Sequence, residues 1–380
     1  MPQTPDALTP DAIRAALAHV DDPELHRPIT ELGMVDAVEV RGDGSVDVKI
    51  LLTISGCPMR DTLTSTVTAA VRSVPGAGVV RVQFGTMSPE QRAKVTATMR
   101  GTTSAAPTIA FNAPGNMTRI YAVASGKGGV GKSSVTVNLA AAMAADGLTV
   151  GVLDADVHGF SVPRLLSVTG RPTRVDQMMI PPTGHGVRVI SIGMFVQGNQ
   201  AVAWRGPMLH RALQQFASEV FWGDLDVLLL DLPPGTGDIA ISVGQLLPGA
   251  EVLVVTTPQA AAAEVAERAG AMAVQTAQRI AGVVENMSWL PMPDGSRLEV
   301  FGSGGGQRVA DSLSAQLGAR VPLLGQVPMD ISLREGGDEG LPVVLGHPDS
   351  PAAVALREVA RGLARRPRGL AGRSLGVSVA

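Results

Sequence analysis

The sequence predicts a doubly wound, mostly parallel α/β domain preceded by a small α+β domain. Three observations predict it. From residue 119 onward, short apolar runs alternate with stretches of helical period, and several runs are continuous rather than alternating, as in strands buried on both faces of a parallel sheet. Over roughly the first hundred residues the apolar period switches between two and 3.6, the mark of mixed strands and helices. Between the two lies GTTSAAPTIAFNAPGNMT, residues 101–118, uncharged and rich in Gly, Ala, Pro, Ser and Thr, which reads as a linker. The expected layout is therefore 1–100, a linker at 101–118, a large domain at 119–368 and a flexible tail at 369–380.

In the front domain, Thr9-Pro10-Asp11 reads as a helix start, with Thr9 as N-cap and Pro10 at the first position. Ile13, Ala16, Leu17 and Val20 follow at helical spacing. Val38 and Val40, a Gly42-Asp43-Gly44 turn, and Val46, Val48, Ile50 and Leu52 at period two predict a β-hairpin. Leu63, Val67, Ala70 and Val71 return to helical spacing, VVRVQF (79–84) reads as a third strand, and PEQRAKVTATM (89–99) as a last helix. In the back domain the expected strands are 119–125, 148–155, 187–192, 226–232, 251–257 and 280–286.

Composition narrows the function. Hydrophobic residues make up 45% of the 380 and charged residues 17%, ample material for a globular core. A net charge of −3 offers no electrostatic case for nucleic acid or a membrane surface. Aromatic residues are 3%, so base-stacking platforms are not expected. The single cysteine, Cys57, excludes a disulfide within the chain. The N-terminus lacks a basic segment followed by an apolar core, and runs such as LDVLLLDL are too short to span a bilayer, so a cytoplasmic setting is expected.

Gly126-Lys127-Gly128-Gly129-Val130-Gly131-Lys132-Ser133 fits G-x-x-x-x-G-K-[ST], with an apolar strand before it and SSVTVNLAAAMAA, a helix, after it. Glycines there let backbone N–H groups curl around phosphate oxygens, and the helix N-terminus adds its positive dipole end. Lys132 is expected on the β- and γ-phosphates and the Ser133 hydroxyl on Mg²⁺, with Ser134 beside it in the nucleotide-binding set. DVLLLDLPPGTGD supplies Asp231 at the end of a buried strand, to hold Mg²⁺ through water, and Gly235 to approach the γ-phosphate through its N–H. Taken alone, Asp231 also reads as a strand-terminal cap. LDADVHG places Asp156 for water activation and Asp154 for support at the metal, with an Asp-rich turn as the plain alternative.

The early lysine makes KGGVGKS resemble the deviant Walker A motif of the MinD, ParA, ArsA and nitrogenase iron-protein class of P-loop NTPases. That resemblance implies a nucleotide-sandwich homodimer in which Lys127 reaches the partner's nucleotide, as an arginine finger would. Within the class the chain most resembles the Mrp (ApbC-type) iron–sulfur cluster carriers, through ASGKGGVGKSSVTVNLA, LLDADVHGFSVPRLL, WRGPMLHRALQQF, DLPPGTGD, TTPQ, ENMSW, FGSGGG and GQVPMD. DDPELHRPITELGMV and LLTISGCP resemble the small iron–sulfur assembly domain often fused ahead of such ATPases. The resemblance implies slow ATP hydrolysis, a [4Fe-4S] cargo, apo iron–sulfur proteins and assembly factors as partners, and adenine contacts from Asn286 and from Pro328 to Asp330. From residue type alone, Asn286 reads equally as a strand-end turn residue.

Many members follow the NMS motif with C-P-x-C, whose thiolates bridge the cluster. Here the register gives Met292-Pro293-Asp294-Gly295, so both thiols are gone. Cys57 reads equally as an iron–sulfur ligand and as a small hydrophobe at a strand end. The six histidines show no metal-like spacing. A rival reading is a MinD- or ParA-like positioning ATPase. It wants an amphipathic C-terminal helix or a basic face, and Pro367, Gly369 and Gly372 break any helix in the tail.

Overall fold

The computed structural model of the chain describes residues 8–53, 59–100, 108–157, 159–176, 178–195, 206–235, 237–259, 268, 271 and 273–365. Two units are distinguished: Met1–Ala106 with Thr173–Ile180, and Pro107–Pro172 with Pro181–Ala380. Cys57 and the tail beyond residue 365 lie outside the described residues.

The first unit begins with α1 (Pro10–Leu17), and Thr9 caps it as expected, its Oγ1 accepting the Ala12 N–H at 3.2 Å. Strands β1 (Val35–Val40) and β2 (Val46–Leu52) form the antiparallel hairpin, with Val38 opposite Val48. Its turn uses Gly44 at φ +79°. Helix α2 (Arg60–Arg72) then carries the chain over to β3 (Val80–Thr86), which pairs parallel with β2. Parallel pairing requires such a crossover, and it makes β2 central, so Val46, Val48, Ile50 and Leu52 are all buried. Ile13, Leu17, Leu63, Val67 and Val71 are buried with them, and α3 (Pro89–Arg100) closes the unit's first segment.

The second unit is built on an eight-stranded sheet. Its first strand is β4 (Arg119–Ser125), followed by α4 (Lys132–Ala145), β5 (Val150–Asp154) and the short α5 (Val162–Leu165). The hairpin β6 (Thr173–Val175) and β7 (Met178–Ile180) leaves to join the first unit, where Thr173 Oγ1 donates to Glu24 Oε1 at 3.3 Å. The chain returns through β8 (Thr183–Gly184), β9 (Val187–Ser191), α6 (Gly206–Ser218), β10 (Val227–Asp231), α7 (Asp238–Leu246) and β11 (Glu251–Thr256). Then come β12 (Ile280–Asn286), the two-residue strands β13 (Leu290–Pro291) and β14 (Arg297–Leu298), and α8 (Gly305–Leu317). The chain ends in β15 (Leu323–Val327), α9 (Ile331–Glu339), α10 (Val343–Gly346) and α11 (Pro351–Arg365).

The sheet order is β15-β12-β11-β4-β10-β5-β9-β8, parallel throughout except for β8 against β9. From β4 the chain steps outward past the place β10 later takes, returns to fill it, and then crosses to the other side of β4. Ligands bind at such a reversal, beyond the carboxyl ends of the strands. Helix α4 is buried from Val135 to Met143, which explains why its sequence carries no charge over those positions. Tyr121 on β4 donates its hydroxyl to the Leu363 carbonyl of α11 at 2.9 Å. The later part of the expected linker packs onto this unit: Asn112 Nδ2 donates to the Leu246 carbonyl and Thr118 Oγ1 to the Leu225 carbonyl.

Candidate nucleotide and metal site

Parallel pairing brings the carboxyl ends of all the sheet's strands but β8 to one edge, and the loop and carboxylates singled out in the sequence stand along it. β10 is in register with both neighbours, placing Asp231 beside Asp154 on β5 and Val123 on β4. The loop after β4 turns through Gly129 at φ +79° and Gly131 at φ +78°, and Lys132 opens α4. At Gly131 a Cβ would also come within 2.3 Å of Asn286 Nδ2, so the glycine answers both to the turn and to the close approach of β12.

Lys132 is buried, its Nζ 2.7 Å from Asp231 Oδ1 and 3.9 Å from Asp156 Oδ2. Ser133 Oγ donates to Asp231 Oδ2 at 2.5 Å, and Thr136 Oγ1, one helical turn beyond Lys132, donates to Asp231 Oδ1 at 2.9 Å. Asp154 is fully buried, its Oδ1 accepting the Asp156 N–H and its Oδ2 the Ser191 hydroxyl, each at 3.1 Å. Burial first, and the neighbouring Asp231 charge second, push the Asp154 carboxyl up to about 8. Asp156 Oδ1 accepts the Gly159 N–H at 3.1 Å, keeping that carboxylate on the loop side of Lys132.

This donor set fits Mg²⁺ held with a nucleotide. A hydroxyl and a carboxylate converge, Ser133 on Asp231, next to a lysine that suits phosphate oxygens, and Mg²⁺ takes few protein ligands and completes its shell with phosphate and water. Beside the loop lies a cavity of about 590 Å³, lined by Gly131, Ser134, Asn286, Pro328 and Asp330 with apolar walls from Leu165 and Phe301. Asn286 Nδ2 donates to the Val130 carbonyl at 2.9 Å, while its Oδ1 is buried with no hydrogen-bond partner. An orphaned acceptor at the edge of an apolar slot suits a ligand that brings an N–H, as the amino group of adenine does.

Other expected residues have different surroundings. The Gly235 N–H, expected toward the γ-phosphate, donates to the Ser125 carbonyl at 2.8 Å, because the turn after β10 folds back on β4. Asp330 lines the cavity, but its carboxylate is engaged as the N-cap of α9, Oδ1 accepting the Ser332 N–H at 2.8 Å. Lys127 Nζ donates to Gln259 Oε1 of the same chain at 2.7 Å. Met292 to Gly295 form the tip of the hairpin between β13 and β14, closed by the Met292 N–H on the Ser296 carbonyl and the Gly295 N–H on the Met292 carbonyl, each 2.9 Å. Among the described residues no group of three or more His, Cys, Asp and Glu side chains stands together to hold a metal ion. Sequence reasoning missed Thr136, Ser191 and Gln259. Thr136 was within reach, since a position four residues past Lys132 on a helix shares its face.

Residues 116–364 match the family described as NUBPL iron-transfer P-loop NTPase, and residues 10–84 match the family described as iron-sulfur cluster assembly protein. The chain is 62% identical over 366 residues to the iron-sulfur cluster carrier protein of Mycobacterium tuberculosis (strain ATCC 25618 / H37Rv), covering 96% of each chain. It is 44% identical over 357 residues to the iron-sulfur cluster carrier protein of Deinococcus radiodurans, covering 93% of this chain and 94% of that one. Among solved structures it is similar to a nucleotide-binding protein from Archaeoglobus fulgidus in complex with ADP. That match has 36% identity and a TM-score of 0.50, over 58% of this chain and 86% of the other.

Proposed function

The chain belongs to the iron-transfer P-loop NTPase family and is an ATPase, and from that premise we propose that it works as a cytoplasmic homodimer that carries iron–sulfur clusters to apo-proteins. Residues 119–368 serve as the ATPase module and residues 1–100 as the assembly module that meets client proteins and assembly factors. The observation that carries the nucleotide half is the Lys132–Asp231–Ser133 constellation at the carboxyl ends of β4 and β10, next to a cavity lined by Gly131, Ser134 and Asn286. The carrier half rests on two modules matched together over nearly the whole length of carriers from other organisms.

In this reading Ser133 and Asp231 would hold Mg²⁺, which when bound would supply positive charge to offset that on the transferring phosphoryl group. Lys132 exchanges its pairing with Asp231 for phosphate oxygens, and the N–H groups of Gly128 to Ser134 cradle the phosphates. Asp156 orients the attacking water, supported by Asp154 behind it. Asn286 Oδ1 and the Pro328–Asp330 segment read the adenine. Lys127 crosses to the partner's nucleotide, so turnover is slow until two loaded protomers meet.

The [4Fe-4S] cluster is cargo, and Cys57 is the one thiolate each protomer offers it. A cluster of this kind takes four thiolates as a rule, so a dimer supplies two and the remainder comes from non-cysteine ligands, a partner's thiol or a higher assembly. Anaerobic incubation of the purified full chain with ferric iron, a thiol reductant and sulfide, for wild type and Cys57→Ala together, tests this. Cluster absorbance and transfer to an apo-ferredoxin are expected for wild type, with both lost in Cys57→Ala. No absorbance and no transfer from wild type removes the carrier reading and leaves the ATPase in place.

A further inference from the structure

Lys127 stands among glycines, where its side chain has every freedom, and yet it is engaged. Its Nζ donates to Gln259 Oε1 at 2.7 Å, across 132 residues of sequence. Gln259 follows Thr257-Pro258 at the carboxyl end of β11, the strand that pairs with β4, so the two loops emerge side by side.

The acceptor is held in place from behind. The Thr257 and Pro258 carbonyls press on Gly305, where a Cβ would come within 2.6 Å of each. Arg308 Nη2 donates to the Pro258 carbonyl at 3.1 Å. The first turn of α8, which carries both residues, is anchored in turn by Glu285 Oε2, which accepts the Gly306 N–H at 2.6 Å. On the donor side, Ser125 Oγ donates to the Lys127 carbonyl at 3.1 Å, fixing the backbone from which the lysine projects. Two anchored backbones therefore meet through one side-chain hydrogen bond.

The chemistry of that bond matters. Gln259 is neutral, so it orients the ammonium without cancelling its charge, and among the described residues Lys127 has no ion pair. An amide acceptor gives way to a phosphate oxygen, which offers the same lone pairs and a negative charge as well. A carboxylate at the same place would match the phosphate's charge and keep the lysine.

We propose that Gln259 is a positioning residue that holds Lys127 on its own chain in the resting protomer and releases it to the partner's nucleotide as the dimer closes. The inference rests on the cross-dimer role of Lys127 and adds the residue that restrains it. Opening the clamp is part of the cost of closure, so its strength sets turnover and not nucleotide affinity.

The test compares full-length wild type, Gln259→Ala, Gln259→Glu and Lys127→Ala in steady-state ATP turnover across protein concentrations, with the affinity of each for a fluorescent ATP analogue. Gln259→Ala frees the amine and raises turnover at low protein concentration about fivefold, the scale of one net hydrogen bond. Gln259→Glu replaces the bond with an ion pair and lowers turnover by at least about fivefold, and both variants bind the analogue within about twofold of wild type. Opposite signs in the two variants support the clamp. Losses in both mean that Gln259 is only structural and overturn it, as does wild-type turnover in both beside an inactive Lys127→Ala. Wild-type turnover in Lys127→Ala itself overturns the cross-dimer reading underneath.

Discussion

Asp154 and Asp231 sit side by side at the ends of adjacent strands, both fully buried, with a single lysine amine between Asp231 and Asp156. That crowding has a consequence for pH. Asp154 is pushed from an ordinary 3.8 up to about 8, so the folded chain keeps a proton there that the unfolded chain gives up. Its contribution to stability is therefore full at pH below about 4 and is lost progressively as pH rises toward about 8. The urea midpoint of the ligand-free protein is expected to fall between about pH 5 and pH 8, and Asp154→Asn is expected to flatten that part of the slope. An unchanged slope in the variant assigns the effect to another group. At this scale the motif residues were legible because they are local: Lys132 and Ser133 follow from the spacing of one loop, and Asp231 from the end of one apolar run. Gln259 was not, because its partner lies in the loop after a different strand and nothing in a Thr-Thr-Pro-Gln string specifies which side chain it will face.

In the back domain the strands that were legible are those buried on both faces. Each of the six expected in the back domain lies within two residues of its observed bounds, since a continuous apolar run has no other economical place than the middle of a parallel sheet. β15 escaped because Leu323-Leu-Gly-Gln-Val mixes Gly and Gln into an edge strand that is only half-buried along much of its length. The hairpins β6–β7 and β13–β14 have strands of three and two residues, too short to show a period. The Met292–Gly295 tip, expected as a site stripped of its thiols, is a self-sufficient turn, with Asp294 Oδ1 accepting both the Ser296 N–H and its hydroxyl. Helix α8 illustrates how elements are pinned to one another. Glu285 on β12 accepts the Gly306 N–H at 2.6 Å and Gln326 Nε2 on β15 at 2.7 Å, so one buried carboxylate ties two strands and a helix start. Glu285→Ala leaves both donors unpaired and is expected to cost about 1–3 kcal/mol in urea unfolding, with Glu285→Gln milder because one acceptor oxygen remains. An alanine variant as stable as wild type shows that water takes over both donors.

At the scale of the whole molecule, the proposed reading has the two lysines of the loop separate ligand binding from assembly. Lys132 faces its own chain's carboxylates, while Lys127 rests on Gln259 and, in the proposed reading, serves a second copy. Light scattering with a non-hydrolysable ATP analogue and Mg²⁺ is expected to show a dimer for wild type. Lys132→Ala is expected to lose both the dimer and the thermal stabilisation by nucleotide, which at a hundredfold excess over Kd is about 2.7 kcal/mol. Lys127→Ala is expected to keep that stabilisation and lose the dimer. A dimeric Lys127→Ala removes the lysine from the interface. By itself the sequence determined the α/β class, the alternation of its elements and the phosphate loop with its lysine and serine. These follow from period and from the steric needs of glycine, which act within a few residues. Only the tertiary structure decided which carboxylate meets Lys132, where Lys127 rests, that Asn286 keeps an unpaired oxygen at the cavity's edge, and that the 173–180 hairpin belongs with the first unit. Each depends on which strands become neighbours and in what register. That is set by the simultaneous burial of the whole sheet, a sum over contacts between segments far apart in the chain.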